Sequence, residues 1–186
     1  AQTVIPGAGR LLGVRTGNLR ALAGQLLAED YLGYLRAKPH HYYEEKAVRA
    51  MLIGGAKLPL YERFALLADF IPEIDNWAIC DVLCADLKAV RKSLPETYAM
   101  MQPYKKSAKE FDVRFYYVML LCHFVTPDYL DQIFLDVGEF THEAYYARMG
   151  VAWLLSVCFA KFPAETMRYF KSNPPIDKWT YNKAIQ

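Results

Sequence analysis

Apolar residues return every three or four positions along this chain, and no stretch of four to eight residues alternates strictly between apolar and polar. The pattern predicts helices over about 18–28, 29–37, 41–54, 59–70, 76–92, 96–107, 110–125, 127–138, 142–161, 164–172 and 176–186. The breaks carry proline and glycine: Pro39, Gly54–Gly55, Pro59, Pro72, Pro95, Pro127, Pro163 and Pro174–Pro175. The first fifteen residues read as irregular. The chain opens without a cap and stops within "WTYNKAIQ", so both ends are expected to be trimmed.

Helix pairs recur. Shifting the segment from Arg114 to Phe134 by 36 residues places Cys122 on Cys158, Pro127 on Pro163 and Phe134 on Phe170. Each copy reads as a long apolar helix, a proline that starts the next helix, and a shorter amphipathic helix. Proline suits a first helical turn, where its missing N–H has no partner to lose. A helix-pair unit of this length is expected of an all-α fold, an α-solenoid or α-α superhelix of HEAT-like helical repeats. A plain helical bundle is the alternative. The length of 186 residues suits a single repeat domain spanning 1–186.

Composition narrows the classes. At 54% hydrophobic and 23% charged residues, the chain has apolar material for a sizeable core. Its longest apolar run, "FYYVMLLCHFV", is too short to span a bilayer and ends before Thr126–Pro127. No secretory signal opens the sequence. Cys80, Cys84, Cys122 and Cys158 all lie in apolar helical contexts and read as reduced core thiols, which points to a cytoplasmic protein. Net charge is only +2, but from Lys88 to Lys109 six bases (Lys88, Arg91, Lys92, Lys105, Lys106 and Lys109) face one acid, Glu96. That cluster is either a solvated helical face or a surface for an anionic partner.

The candidate chemistry centres on "NWAICD", residues 76–81. On a helix, Trp77 and Asp81 are neighbours at i and i+4, while Ile79, Val82 and Leu83 face the core. Trp153 lies in the apolar helix "MGVAWLLSVCF", and Arg114 in "FDVRFYYVML". Taken singly, each has a plainer reading: a packing tryptophan, a capping aspartate, a paired arginine. Cys80, Cys84 and the Cys122–His123 pair lack further ligands at zinc-binding spacing, so no metal is expected. His40–His41 read as helix-boundary residues. "GAGRLLG" lacks the strand and Lys-Ser/Thr of a phosphate loop, no nucleophile motif is present, and no cofactor is expected.

Several segments together resemble one family. "LLGVRTGNLRALAGQL" is similar to its "GVRTP-x-LR" opening, and "NWAICD" to its "NW-x-x-x-D". "DVRFYYVMLLCHF", "YYARMGVAWLLSVCFAKFP" and "WTYNKAIQ" resemble its later helices. The family is the bacterial DNA alkylation repair family, the AlkD-like glycosylases built of HEAT-like repeats. The resemblance covers nearly the whole chain. It implies that Asp81 matches the catalytic aspartate, that Trp77 and Trp153 flank the lesion, and that Arg114 contacts the DNA backbone. Gly17 departs from the family's proline after "GVRT". Ala78 and Ser156 stand where well-known members carry an acid and a base.

The resemblance further implies a monomer acting on double-stranded DNA with alkylated bases, releasing N3- or N7-alkylated purines. Lys88, Arg91, Lys92, Lys105, Lys106 and Lys109 then become candidate phosphate contacts. A non-catalytic DNA-binding member of the family and a helical scaffold for a protein partner are the alternatives.

Overall fold

The computed structural model of the chain describes residues 5–37 and 41–186. Pro39 and His40, read from the sequence as boundary residues, lie outside them. The described residues form an all-α fold of helical repeats, without strands beyond an isolated bridge between Arg10 and Tyr42. Two compact units divide the chain, residues 1–92 and 93–186.

The first unit holds α1 (Thr16–Ala28), α2 (Tyr31–Arg36), α3 (Tyr43–Gly55), α4 (Leu60–Phe70) and α5 (Trp77–Asp86). Its centre is α3, which packs on both α1 and α5. From Ala47 to Gly54 every residue of α3 is buried, as expected of a helix with apolar neighbours on all sides. Two arginines are buried with it. Arg49 reaches Asp69 at 2.6 Å and Glu73 at 3.0 Å and lies over the Phe70 ring at 5.0 Å. Arg63 of α4 donates to the carbonyls of Ile53, Gly54 and Ala56, filling acceptors that the end of α3 leaves open.

The predicted helix over 76–92 ends early. α5 stops at Asp86, and a short 3-10 turn, Lys88–Lys92, follows. At that end α3 approaches so closely that a Cβ on Gly54 would come within 2.6 Å of the Asp86 Cβ. Only glycine fits there.

The second unit holds α6 (Leu94–Lys105), α7 (Glu110–Met119), α8 (Leu130–Gly138), α9 (Tyr145–Lys161), α10 (Pro163–Lys171) and α11 (Lys178–Ala184). α7 continues into a π-helical turn, Leu120–Phe124, and Pro127 opens a 3-10 turn leading into α8. α9 packs on α7, α10 and α11. Aromatic contacts tie the unit's later helices together. Phe134 of α8 stacks on Tyr169 of α10 at 4.4 Å, and its counterpart Phe170 meets Tyr181 of α11 edge-on at 5.2 Å.

Candidate nucleic-acid site

In the first unit a short polar chain sets where α5 begins. Lys46 of α3 donates to Asp75 at 2.5 Å and to the Glu73 carbonyl at 3.2 Å. The Asn76 amide donates to Asp75 at 2.7 Å, and its oxygen accepts the Ile79 N–H at 3.0 Å. Asn76 is buried and acts as the N-cap of α5. The loop before α1 also closes on this point. Gly7 has φ +84°, and a Cβ there would lie 2.6 Å from the Asp75 carbonyl oxygen.

Trp77 is therefore the first residue of α5 and Asp81 stands one turn on, as the i, i+4 spacing predicts. Both are half-buried, whereas Ile79, Cys80, Leu83 and Cys84 are buried. One side of the turn faces the core, and the indole and carboxylate lie at its margin. The next turn supplies charge: Lys88, Arg91 and Lys92 are all exposed.

The "LLGV" part of the opening segment is tied down from α3. The buried Glu44 carboxylate accepts the N–H groups of Leu12 at 3.0 Å, Gly13 at 2.8 Å and Val14 at 3.2 Å. Burial works against its charge, and these backbone donors outweigh burial, so its acidity rises above that of an ordinary glutamate. His41 uses its backbone N–H to reach Glu45 at 2.7 Å, which fits a boundary residue ahead of α3.

The second unit carries Arg114 and Trp153. Arg114, on α7, is only 5% exposed; it donates to the Tyr146 carbonyl at 2.9 Å and lies 6.0 Å from the Tyr146 ring. At least that part of the guanidinium is engaged with the first turn of α9. Trp153 follows two turns along α9 and is 43% exposed. The indole is therefore part of the surface of α9 rather than of the core.

The lysines of this unit divide. Lys106 and Lys109 are exposed. Lys105 departs from the expectation of a phosphate contact: its side chain is 10% exposed, 2.6 Å from Asp136 and 3.1 Å from Glu139. Asp136 is fully buried and also accepts from Tyr98 at 2.8 Å, Tyr116 at 2.7 Å and Gln132 at 3.1 Å. Lys105 is the cation that balances this carboxylate.

Sequence reading missed Lys46, Glu44 and Asp136. Asn76 carried a local signal, a capping residue before an apolar run. The other three act across 29 to 32 residues of sequence, and nothing near them marks the partner.

All four cysteines are free, and burial pushes the Cys158 thiol up to about 12. Among the described residues no group of three His, Cys, Asp or Glu side chains could hold a metal ion, and no helix is long and apolar enough to cross a membrane.

The family described as "DNA alkylation repair enzyme" matches residues 2–185. The chain belongs to that family. No curated protein and no solved structure matches it. Membership gives this DNA alkylation repair protein a role in repair, with DNA as its partner.

Proposed function

We propose that this protein is a DNA glycosylase that releases N3- or N7-alkylated purines from duplex DNA by hydrolysing the N-glycosidic bond. The observation that carries the reading is the first turn of α5, where an indole and a carboxylate stand side by side at the edge of the core.

Alkylation at N3 or N7 gives the purine a positive charge. When the bond from C1′ breaks, its electron pair moves onto the base, which leaves neutral without a general acid. Positive charge develops on the sugar, as in other glycosyl transfers. Asp81 offers an anion to that charge and an acceptor for the attacking water. The water oxygen bonds to C1′, and its proton passes to the carboxylate and on to solvent. Stabilisation by a fixed anion is strongest where water is thinned out, which suits a half-buried position. The indole of Trp77 offers an electron-rich face to the cationic base or sugar, worth roughly 0.5–2 kcal/mol. The exposed Trp153 offers another.

Lys88, Arg91, Lys92, Lys106 and Lys109 supply sequence-independent attraction to phosphates. Arg114 enters as a positioning residue that holds the start of α9, and so the helix bearing Trp153.

A second reading, a non-catalytic DNA-binding member, is favoured by the engagement of Arg114 with the Tyr146 carbonyl. Release of 3-methyladenine and 7-methylguanine from methylated duplex DNA separates the two. Base release by the wild-type protein supports the glycosylase. Tight, salt-dependent binding with no release supports the second reading.

A further inference from the structure

A cavity of about 330 Å³ opens in the second unit beside the start of α9. Its lining is Phe140, Thr141, His142, Glu143, Arg148 and Asp177. None of these residues belongs to the features assigned above to lesion chemistry.

Two of the polar groups are already in use. The His142 Nδ1 accepts the Ala144 N–H at 3.1 Å, and its Nε2, carrying the hydrogen, lies 3.3 Å from the Ala108 carbonyl. The imidazole is therefore a wall. Asp177 caps α11, accepting the N–H groups of Trp179 at 3.1 Å and Thr180 at 3.0 Å and the Thr180 hydroxyl.

Arg148 is held by its face, with the guanidinium 4.5 Å from the Trp179 ring centre, which fixes its plane while leaving hydrogen-bonding edges. Its nearest acid, Asp177, is 3.6 Å away, too long for a hydrogen bond. Glu143 is exposed. The cavity thus presents a planar cationic donor and an anionic acceptor, with the Phe140 ring in the same lining.

Two carboxylates against one guanidinium disfavour a phosphate. The volume sits at the low end of small-molecule sites. A small planar ligand with acceptors on one edge and donors on the next fits best. Guanine is such a ligand: O6 and N7 accept from a guanidinium, and N1–H and the exocyclic amine donate to a carboxylate.

We propose that this cavity binds one unmodified guanine base, with Arg148 on the O6/N7 edge and Glu143 on the N1/N2 edge. The base comes from a free nucleoside or from single-stranded nucleic acid. N7 methylation removes the acceptor that Arg148 needs and adds a positive charge beside it. The cavity therefore selects against one of the lesions proposed for the α5 site, and it stands or falls independently of that proposal.

The test is calorimetric titration of the whole chain, without duplex DNA, with guanosine, adenosine, 7-methylguanosine, inorganic phosphate and an oligothymidylate containing one guanine. Guanosine or the guanine-containing oligomer is expected to saturate at one site. Adenosine and 7-methylguanosine should bind at least about tenfold more weakly, the range for one bidentate base contact. Tighter binding of the oligomer assigns the site to single strands, and equal binding assigns it to the nucleoside.

Glu143→Gln, at an exposed position that leaves the fold intact, should weaken guanosine binding at least about tenfold. Arg148→Gln should do the same, with its circular dichroism compared to wild type. Absence of saturable binding by both guanosine and the guanine-containing oligomer, equal affinity for 7-methylguanosine, preference for phosphate, or an unchanged Glu143→Gln protein would overturn the assignment.

Discussion

The Asn76 side-chain oxygen lies 3.0 Å from the backbone nitrogen of Ile79, and that bond fixes the start of the helix that carries Trp77 and Asp81. Asn76 also holds Asp75, which Lys46 holds from α3. The position of the proposed catalytic turn thus rests on a polar relay between two helices of one unit. Asn76→Ala should destabilise the protein by about 0.5–2 kcal/mol, the usual worth of an N-cap. Asn76→Asp keeps the cap acceptor but sets a buried carboxylate against Asp75 in place of the amide donor, so it should also lose stability. Urea midpoints for the two variants check the prediction.

Lys105 and Lys106 are sequence neighbours with opposite expected behaviour. Lys105 balances the buried Asp136, whereas Lys106 is an exposed partner of Glu139 at 3.1 Å. Lys105→Met leaves a buried carboxylate without its cation and should cost roughly 3–5 kcal/mol. Lys106→Met should stay within about 0.5 kcal/mol of wild type. Chemical denaturation of both tests the difference.

The same cluster predicts alkaline sensitivity. Burial opposes charge on Lys105, but hydrogen bonds and attraction from Asp136 and Glu139 outweigh it and raise its pKa. Burial, with Asp136 contributing, pushes the Tyr98 and Tyr116 phenols up. All three hold their protons more tightly folded than unfolded. Their stabilisation is present below about pH 10, the unfolded range, and is lost as pH rises through the raised values. Circular dichroism should show unfolding above about pH 10, with tyrosinate absorbance rising in step with the loss of helix.

Glu44 predicts the reverse at low pH. Its pKa is depressed, so its contribution is present above about pH 4.3 and lost as pH falls through the folded-state value. Glu44→Ala should release the 12–14 loop at neutral pH. Trypsin should then cut at the exposed Arg10 and Arg15 faster than in wild type, while the helix content stays the same.

The periodicity of the sequence located the eleven α-helices found among the described residues because amphipathic spacing is a local property. It misjudged ends set by packing. α5 stops at Asp86, where Gly54 presses against it, although the apolar pattern continues through Val90. Trp77 and Asp81 were legible as a pair because one helical turn brings them together. The pairing of Lys105 was not legible because its charge looked like its neighbours', and Asp136, which binds it, lies 31 residues away.

Alanine replacement of Lys88, Arg91 and Lys92 should weaken DNA binding equally for all sequences. Each lost phosphate contact should reduce the slope of log affinity against log salt by about 0.9. Fluorescence anisotropy with a labelled duplex at several salt concentrations measures it. An unchanged slope would place these bases outside the DNA surface.

The most direct measurement is single-turnover release of 3-methyladenine and 7-methylguanine from methylated duplex DNA, comparing wild type with Asp81→Asn. The account predicts that wild type releases base and that Asp81→Asn is slower by at least about a hundredfold, with unchanged helix content and DNA affinity. Equal rates for the two proteins, or no release by either, would contradict a role for this carboxylate in cleaving the glycosidic bond.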